Sequence, residues 1–351
     1  MRYAGPSIGM MAITSLLGLP VGLAQSPPNA ETTPPTLNQQ FNSLSVDRKA
    51  ARDAADRLTL LGEQKAREQQ YREAVTAWLQ ALDIYREIGD SPAQEQVYEY
   101  LGFTYATLAR YDVAEDAFRR QLAIARYNQS FQGQIYGLNN LGNLLLKRGN
   151  PTAAQAVFEE ALTIAKNIES QEGQGLSLSN LGQVSAARGD NDQAIAQYEA
   201  ALTFFRRAGG ETKQISTYNN LGNAYHQMQR YPAAVTSYRF ALRLAKDHRD
   251  LPNQFQALAG LATSYTALGL YSDALSFVNQ WLALAESQED LRQQLMAQRS
   301  LAQLYYQAAD YASAQTAYQQ AISTARLLND ERAETFLINQ LASLKLEILS
   351  R

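Results

Sequence analysis

The sequence predicts an all-α solenoid of seven helical hairpins closed by a C-terminal capping helix, and three observations carry that expectation. Leu recurs at 61, 101, 141, 181, 221, 261 and 301, a period of 40 residues without an insertion, and Leu341 continues it. Thirteen residues beyond each of these seven stands Ala: Ala74, Ala114, Ala154, Ala194, Ala234, Ala274 and Ala314. Four residues further on comes Trp78, Phe118, Phe158, Tyr198, Tyr238, Val278 or Tyr318, a sizeable apolar or aromatic side chain each time.

From the N-terminus, residues 1–24 carry one cation, Arg2, and an apolar stretch from Ile8 to Leu23 broken by Pro20. The small residues Gly22 and Ala24 precede Gln25, the pattern of a signal peptide cut after Ala24. Thr14, Ser15 and Gly18 interrupt the stretch, which makes it a poor membrane span. The expectation is export to a bacterial periplasm or a thylakoid lumen, with no membrane insertion after cleavage. Residues 25–45, with Pro27, Pro28, Pro34 and Pro35, read as a flexible linker. The repeats then occupy 46–332, and residues 333–351 form the capping helix, with Lys345, Glu347 and Arg351 suited to solvent.

Within one repeat, the residue after Leu is Gly62, Gly102, Gly142, Gly182, Gly222, Ala262 or Ala302. Small side chains at that point and at the later Ala let two antiparallel helices approach closely, and the large residue fills the space beside their crossing. Turns are expected at Arg110-Tyr111, Gly149-Asn150-Pro151, Gly189-Asp190, Arg230-Tyr231-Pro232 and Gly269-Leu270, where Gly ends a helix and Pro sits near the start of the next. One hairpin cannot bury both apolar faces, so neighbours stack into a continuous core.

The pattern resembles the tetratricopeptide repeat family: Leu-Gly, then Tyr105, Tyr225, Tyr265 or Tyr305, then Tyr-x-x-Ala as in Tyr71–Ala74, Tyr111–Ala114 and Tyr271–Ala274. The usual period is about 34 residues; the 40 here is similar to the longer variant of kinesin light chains and cyanobacterial repeat proteins. Lys65, Leu145 and Ser185 depart from the family's Tyr, and Gln121 and Trp281 from its next Ala. The resemblance implies a right-handed superhelix whose concave surface is lined by the first helix of each hairpin, and a protein or peptide partner. The exported layout is also similar to the processing-associated factors of photosystem II assembly. That implies the assembly of a membrane complex as the setting, with an exposed tail of a membrane protein as the partner.

The chain is 46 % hydrophobic and 19 % charged with a net charge of −3, so no basic surplus is available for nucleic acid. Cysteine is absent, and two histidines, His226 and His248, are too few for a zinc site. No phosphate loop and no nucleophile with a matching base is visible, so no catalytic residue, cofactor or metal ligand is assigned and an enzyme is not expected. Delivery of a hard divalent ion such as manganese by Asp and Glu, or a purely structural oligomeric scaffold, remain alternatives to an adaptor.

Candidate binding residues sit on the first helix of each hairpin. Asn140, Asn180 and Asn220 precede the Leu, and Asn143, Gln183 and Asn223 follow it by two, offsets that share one helical face. Their amides offer donor and acceptor together, matching the backbone of an extended segment. In similar repeat proteins Asn at these positions clamps a bound peptide; hydrogen bonding between helices is the competing role. Tyr100, Phe103 and Tyr136 are expected to meet where one repeat abuts the next, as an exposed anchor pocket or, alternatively, buried in the core between repeats. Arg299 and Gln303, near Met296 and Tyr306, are expected to supply polar contacts, with Lys147 and Arg67 as further cations.

Overall fold

A helix begins every twenty residues from Tyr71 onward. The computed structural model describes residues 37–350, with side chains from Asp47 to Leu349. Its helices are α1 (Leu37–Arg67), α2 (Tyr71–Glu87), α3 (Ser91–Thr107), α4 (Tyr111–Tyr127), α5 (Phe131–Lys147), α6 (Pro151–Asn167), α7 (Gln171–Ala187) and α8 (Asn191–Ala208). They continue as α9 (Glu211–Gln227), α10 (Tyr231–Asp247), α11 (Leu251–Ala267), α12 (Tyr271–Ser287), α13 (Leu291–Gln307), α14 (Tyr311–Leu327) and α15 (Glu331–Ser350). The expected turns fall where the sequence placed them, and one compact unit runs from Lys49 to the C-terminus.

The metronomic register comes from one turn used throughout. The second residue past the end of each helix from α1 to α7 and from α9 to α14 takes a left-handed conformation, as Gly89 (φ 69°) and Gly149 (φ 77°) do, and after α8 the first residue, Gly209 (φ 71°), does so. Gly89 N–H then donates to Arg86 O at 3.2 Å and Asp90 N–H to Tyr85 O at 2.8 Å, closing the helix end. Where the next residue is Asp, Asn or Ser it caps the following helix, as Asp90 accepts from Ala93 N and Ser130 from Gly133 N at 3.0 Å.

The helix crossings are built as the small residues require. All seven repeat alanines, Ala74 through Ala314, are fully buried. A Cβ added to Gly142 would lie 2.3 Å from Phe158 Cε1, and one on Gly62 2.3 Å from Trp78 Nε1, so the ring presses directly on bare backbone. Each odd-numbered helix from α3 to α11 packs on the next odd one as well as on its sequence neighbours, whereas even helices pack their backbones only on sequence neighbours among the described residues, Arg126 of α4 merely reaching Glu160 of α6. The row whose members touch one another is the inner, more closely spaced row. The odd helices therefore line the concave face.

Two expectations are corrected at the ends. α1 already begins at Leu37, inside the stretch read as linker; the apolar and polar run after Thr36 has no Pro or Gly to stop it. The expected capping helix is present, but its outer surface is not chiefly charged: Phe336, Ile338, Leu346 and Leu349 are exposed. α15 occupies the place of a first helix, packs on α14 and is followed by no second helix among the described residues, and Ile338 is exposed where Leu258 of α11 is buried at the equivalent position. The expected signal peptide, and the linker up to residue 36, lie outside the described residues.

Candidate binding groove

Polar residues between consecutive first helices form a buried seam, one position before the asparagines singled out in the sequence. Asn139 donates to Ile135 O at 2.8 Å and to Ser177 Oγ at 3.1 Å. Ser179 and Thr217 share a 2.9 Å hydrogen bond, and Asn219 donates to Asn253 O and Oδ1 at 3.1 and 3.0 Å. Such a seam fixes the register of one hairpin on the next, because each amide left without its partner would cost desolvation with no return.

Asn180 belongs to that seam and not to an open amide ladder. It is 4 % exposed, donates to Asn139 Oδ1 at 2.8 Å and accepts from Gln183 Nε2 at 3.1 Å. Asn140 is half-buried, donating to Glu99 at 3.2 Å and to Gln121 at 3.4 Å. Here helix-to-helix bonding, the competing role, takes these side chains. Asn143 is exposed, and Asn223 uses Oδ1 to accept from Tyr238 Oη at 2.6 Å.

Tyr100, Phe103 and Tyr136 have separate partners instead of a common pocket. Tyr100 stacks on Trp78 with centroids 5.3 Å apart and donates to Glu63 at 3.0 Å. Phe103, half-exposed, meets Phe118 edge-on at 5.3 Å. Tyr136 donates to Glu172 at 2.6 Å, while Lys213 pairs with the same carboxylate and lies 5.0 Å over the tyrosine ring, so three repeats are clasped together. Hydrogen bonds from Lys213 and then Tyr136 hold the Glu172 pKa below its usual value. Lys147 rests 5.6 Å over Tyr111, and Arg67 lies 4.0 Å from Glu63.

A hollow of about 570 Å³ lies beside Glu115, Leu141 and Val157 in the N-terminal half, but the longest run of open space lies in the C-terminal half. Three hollows run into one another along α7, α9, α11, α13 and α15: about 390 Å³ beside Gln183, Asn220 and Asn223, about 600 Å³ beside Asn223, His226 and Thr263, and about 800 Å³ beside Thr263, Arg299 and Gln303. Five of the sequence candidates, Gln183, Asn220, Asn223, Arg299 and Gln303, line this trough, together with Met296. Asn140, Asn143, Tyr100, Phe103, Tyr136 and Lys147 do not.

The trough exists because of one irregular repeat. From Ala259 onward the lining on α11 is Ala259, Gly260, Ala262, Thr263, Thr266 and Ala267, all small, while Pro252, Phe255 and Gln256 line its start. On α12, Val278 stands where other repeats place an aromatic, and Trp281 stands three residues later where most have Ala. The indole is buried and donates to Gln293 Oε1 at 2.9 Å, so the bulk of the floor moves one helical turn and leaves depth above Val278. That exchange was the signal that could have located the trough. His226, Thr263, Trp281 and Phe336 were not among the candidates. His226 bonds Ser264 Oγ through Nδ1 at 3.0 Å, and burial lowers its pKa.

The model of the tetratricopeptide repeat matches residues 54–126, 134–207, 174–247 and 213–287. The chain belongs to the tetratricopeptide repeat family. Its repeats superpose on the apo form of RapI at a TM-score of 0.57 and 14 % identity, covering 78 % of this chain and 98 % of that one. A Rap protein in complex with competence and sporulation factor gives 0.55 at 15 % identity, covering 84 % and 75 %. The signal-transduction ATPase with a tetratricopeptide repeat sensor from Pyrococcus horikoshii gives 0.62 at 16 % identity, with 85 % of this chain spanning 48 % of that protein. At these identities the likeness is one of fold. No curated protein matches the chain. Among the described residues of this tetratricopeptide repeat protein, no helix is long and apolar enough to cross a membrane, and no group of three or more His, Asp or Glu is placed to hold a metal ion.

Proposed function

We propose that this tetratricopeptide repeat protein is an interaction scaffold that takes a segment of a partner protein into the C-terminal trough. The observation that carries the reading is the continuity of the three hollows along the concave face, lined by amides, hydroxyls and apolar side chains from five first helices. A concave site with a few polar groups over an apolar floor is what a bound chain needs to be held and oriented. A Rap protein of similar fold is solved with competence and sporulation factor, which supports the family's capacity to hold a partner.

Export is part of the same proposal, supported by Arg2, the apolar stretch from Ile8 and the small residues before Gln25. The assembly of a membrane complex as the setting is supported by the similarity of layout to photosystem II assembly factors. N-terminal sequencing of the native protein should begin at Gln25; recovery of Met1 from the cytoplasm removes the exported setting.

A photo-crosslinking residue at Gln303, which is exposed in the trough, should capture a second polypeptide in the native host, while the same probe at exposed Glu159 on a second helix should not. Capture at Glu159 alone would place the binding surface on the convex side and defeat the groove reading.

A further inference from the structure

The charge of the trough does not match the charge of the chain. The protein carries 34 acidic residues and a net charge of −3, yet none of the residues lining the three joined hollows is Asp or Glu. Their single full charge is Arg299, whose guanidinium lies 5.2 Å over the Phe336 ring of α15. The adjoining hollow, of about 660 Å³, shares Met296 and Arg299 with the trough and adds Arg292 and Arg332. Asp330 and Glu331 also line it, but the Asp330 carboxylate is engaged in capping α15, accepting from Ala333 N at 3.0 Å. No ion pair within 4.0 Å ties up any of these three arginines among the described residues. In the N-terminal half, by contrast, Arg52, Lys65, Arg86, Arg119, Arg120 and Arg148 all have carboxylate partners.

An arginine stacked on an aromatic ring keeps its in-plane N–H donors available for a carboxylate, and the ring fixes its position beforehand. Resting on the groove reading above, we propose that the trough selects an acidic, extended peptide segment. An apolar side chain of the segment sits over the small residues of α11, and a carboxylate sits on Arg299. Arg292 and Arg332 favour further acidic residues beyond that end. Backbone groups of the segment face the amides of Asn220, Asn223 and Gln303. A basic segment finds no carboxylate along the lining of the three hollows, and a neutral one leaves the arginine unused.

The protein supplies its own reporter. It has two tryptophans, Trp78 in the N-terminal half and Trp281 in the trough. Trp78→Phe installs the residue that Phe118 and Phe158 already supply at the same repeat position, leaving Trp281 fluorescence as the readout. Full-length Trp78→Phe protein is titrated with a short peptide in which leucines alternate with aspartates, and with counterparts carrying asparagine or lysine in place of aspartate. The aspartate peptide should bind about tenfold more tightly than the asparagine one, the lysine peptide most weakly, and added salt should reduce the difference. Arg299→Gln should bring the aspartate peptide to the level of the asparagine peptide, while Arg299→Lys keeps most of the preference. Equal binding of all three peptides, tighter binding of the lysine peptide, or no binding of the aspartate peptide overturns the proposal. Thr263→Phe, which copies Phe103 at the equivalent position, narrows the trough and separates the two readings. If it weakens every peptide, the groove is the site whatever its charge preference; if it changes none, the groove reading itself fails.

Discussion

From α1 to α7 the concave face is laced by carboxylates that reach from one hairpin to the next: Glu63 to Tyr100, Glu99 to Asn140, Glu172 to Tyr136 and Lys213. From α9 to α15 the lining of the trough has no carboxylate, and small residues of α11 open it. The same repeat thus serves two ends. Where polar side chains are consumed by neighbouring helices they set the stacking geometry, and where they are left facing a hollow they can meet a partner. A ladder of asparagines read along a repeat protein does not distinguish these uses, because both need the same residue type on nearly the same face.

The largest difference between the halves should appear at the helix crossings. In the third repeat the fully buried Phe158 ring presses on Gly142, and an added Cβ would sit 2.3 Å from it. Gly142→Ala should therefore destabilise by about 1–3 kcal/mol through overpacking, even though Ala is the better helix former. At the irregular crossing, Ala262 already faces Val278, so Ala262→Gly should cost only the helix-propensity difference of about 1 kcal/mol. Chemical denaturation of the two variants measures both. Combining Gly142→Ala with Phe158→Val copies the Ala262 and Val278 pair, and its cost should be smaller than the sum of the single changes. Strict additivity would show that the two crossings do not differ in the way described.

Much of this was legible in the sequence, for physical reasons that differ by feature. The period of Leu61 and its successors, with Ala at the crossings, dictates hairpins because no other arrangement buries those faces at that spacing. Helix ends were legible where Gly149 or Pro151 stood, and less so at Ala109 or Gln229, which take the left-handed conformation (φ 56°) without glycine. The site was half legible. Arg299, Gln303 and Asn223 line the trough because the first-helix face is fixed by the repeat, whereas Asn180 turns into the seam, whose positions are one residue away. What escaped was depth, which depends on what α12 places beneath α11, a relation between helices that a ladder on one face does not contain.

Asparagine substitutions sharpen the same contrast at intermediate size. Asn180→Ala removes the donor to Asn139 Oδ1 inside the buried seam and should cost about 1–3 kcal/mol. Asn220→Ala, which lines the trough, should change stability by no more than about 0.5 kcal/mol. Thermal melts of the two variants decide the matter. Equal losses would mean that Asn220 is as structural as Asn180, and would remove one polar contact from the proposed peptide site.

The smallest expected difference is in the response to mild acid, since tyrosines raised by burial lie in both halves. Burial, with a further contribution from Asp56, pushes the Tyr85 phenol in α2 up to about 12. Its neutral form is favoured by folding, so the contribution is complete below the unfolded value of about 10 and is lost as the pH rises through about 12. His226 moves the other way: burial lowers its pKa, so its contribution is present above about 6.5 and is lost as the pH falls below that. Glu95 in α3, raised by burial and by Glu99, acts with the opposite sign to His226 and steadies the N-terminal half in acid. Repeats couple only to their neighbours, so the halves can report separately. Trp78 lies against Thr59, which also bonds Tyr85, and Trp281 shares the trough with His226. In melts followed by fluorescence, mild acid should lower the transition seen by Trp281 alone in Trp78→Phe protein, and His226→Gln should abolish that shift. Alkali should lower both transitions, because burial raises the phenols of Tyr225 and Tyr238 in the C-terminal half as it raises that of Tyr85. Coincident shifts of both tryptophans in mild acid would show that the solenoid unfolds as one unit and that the two halves are energetically one body.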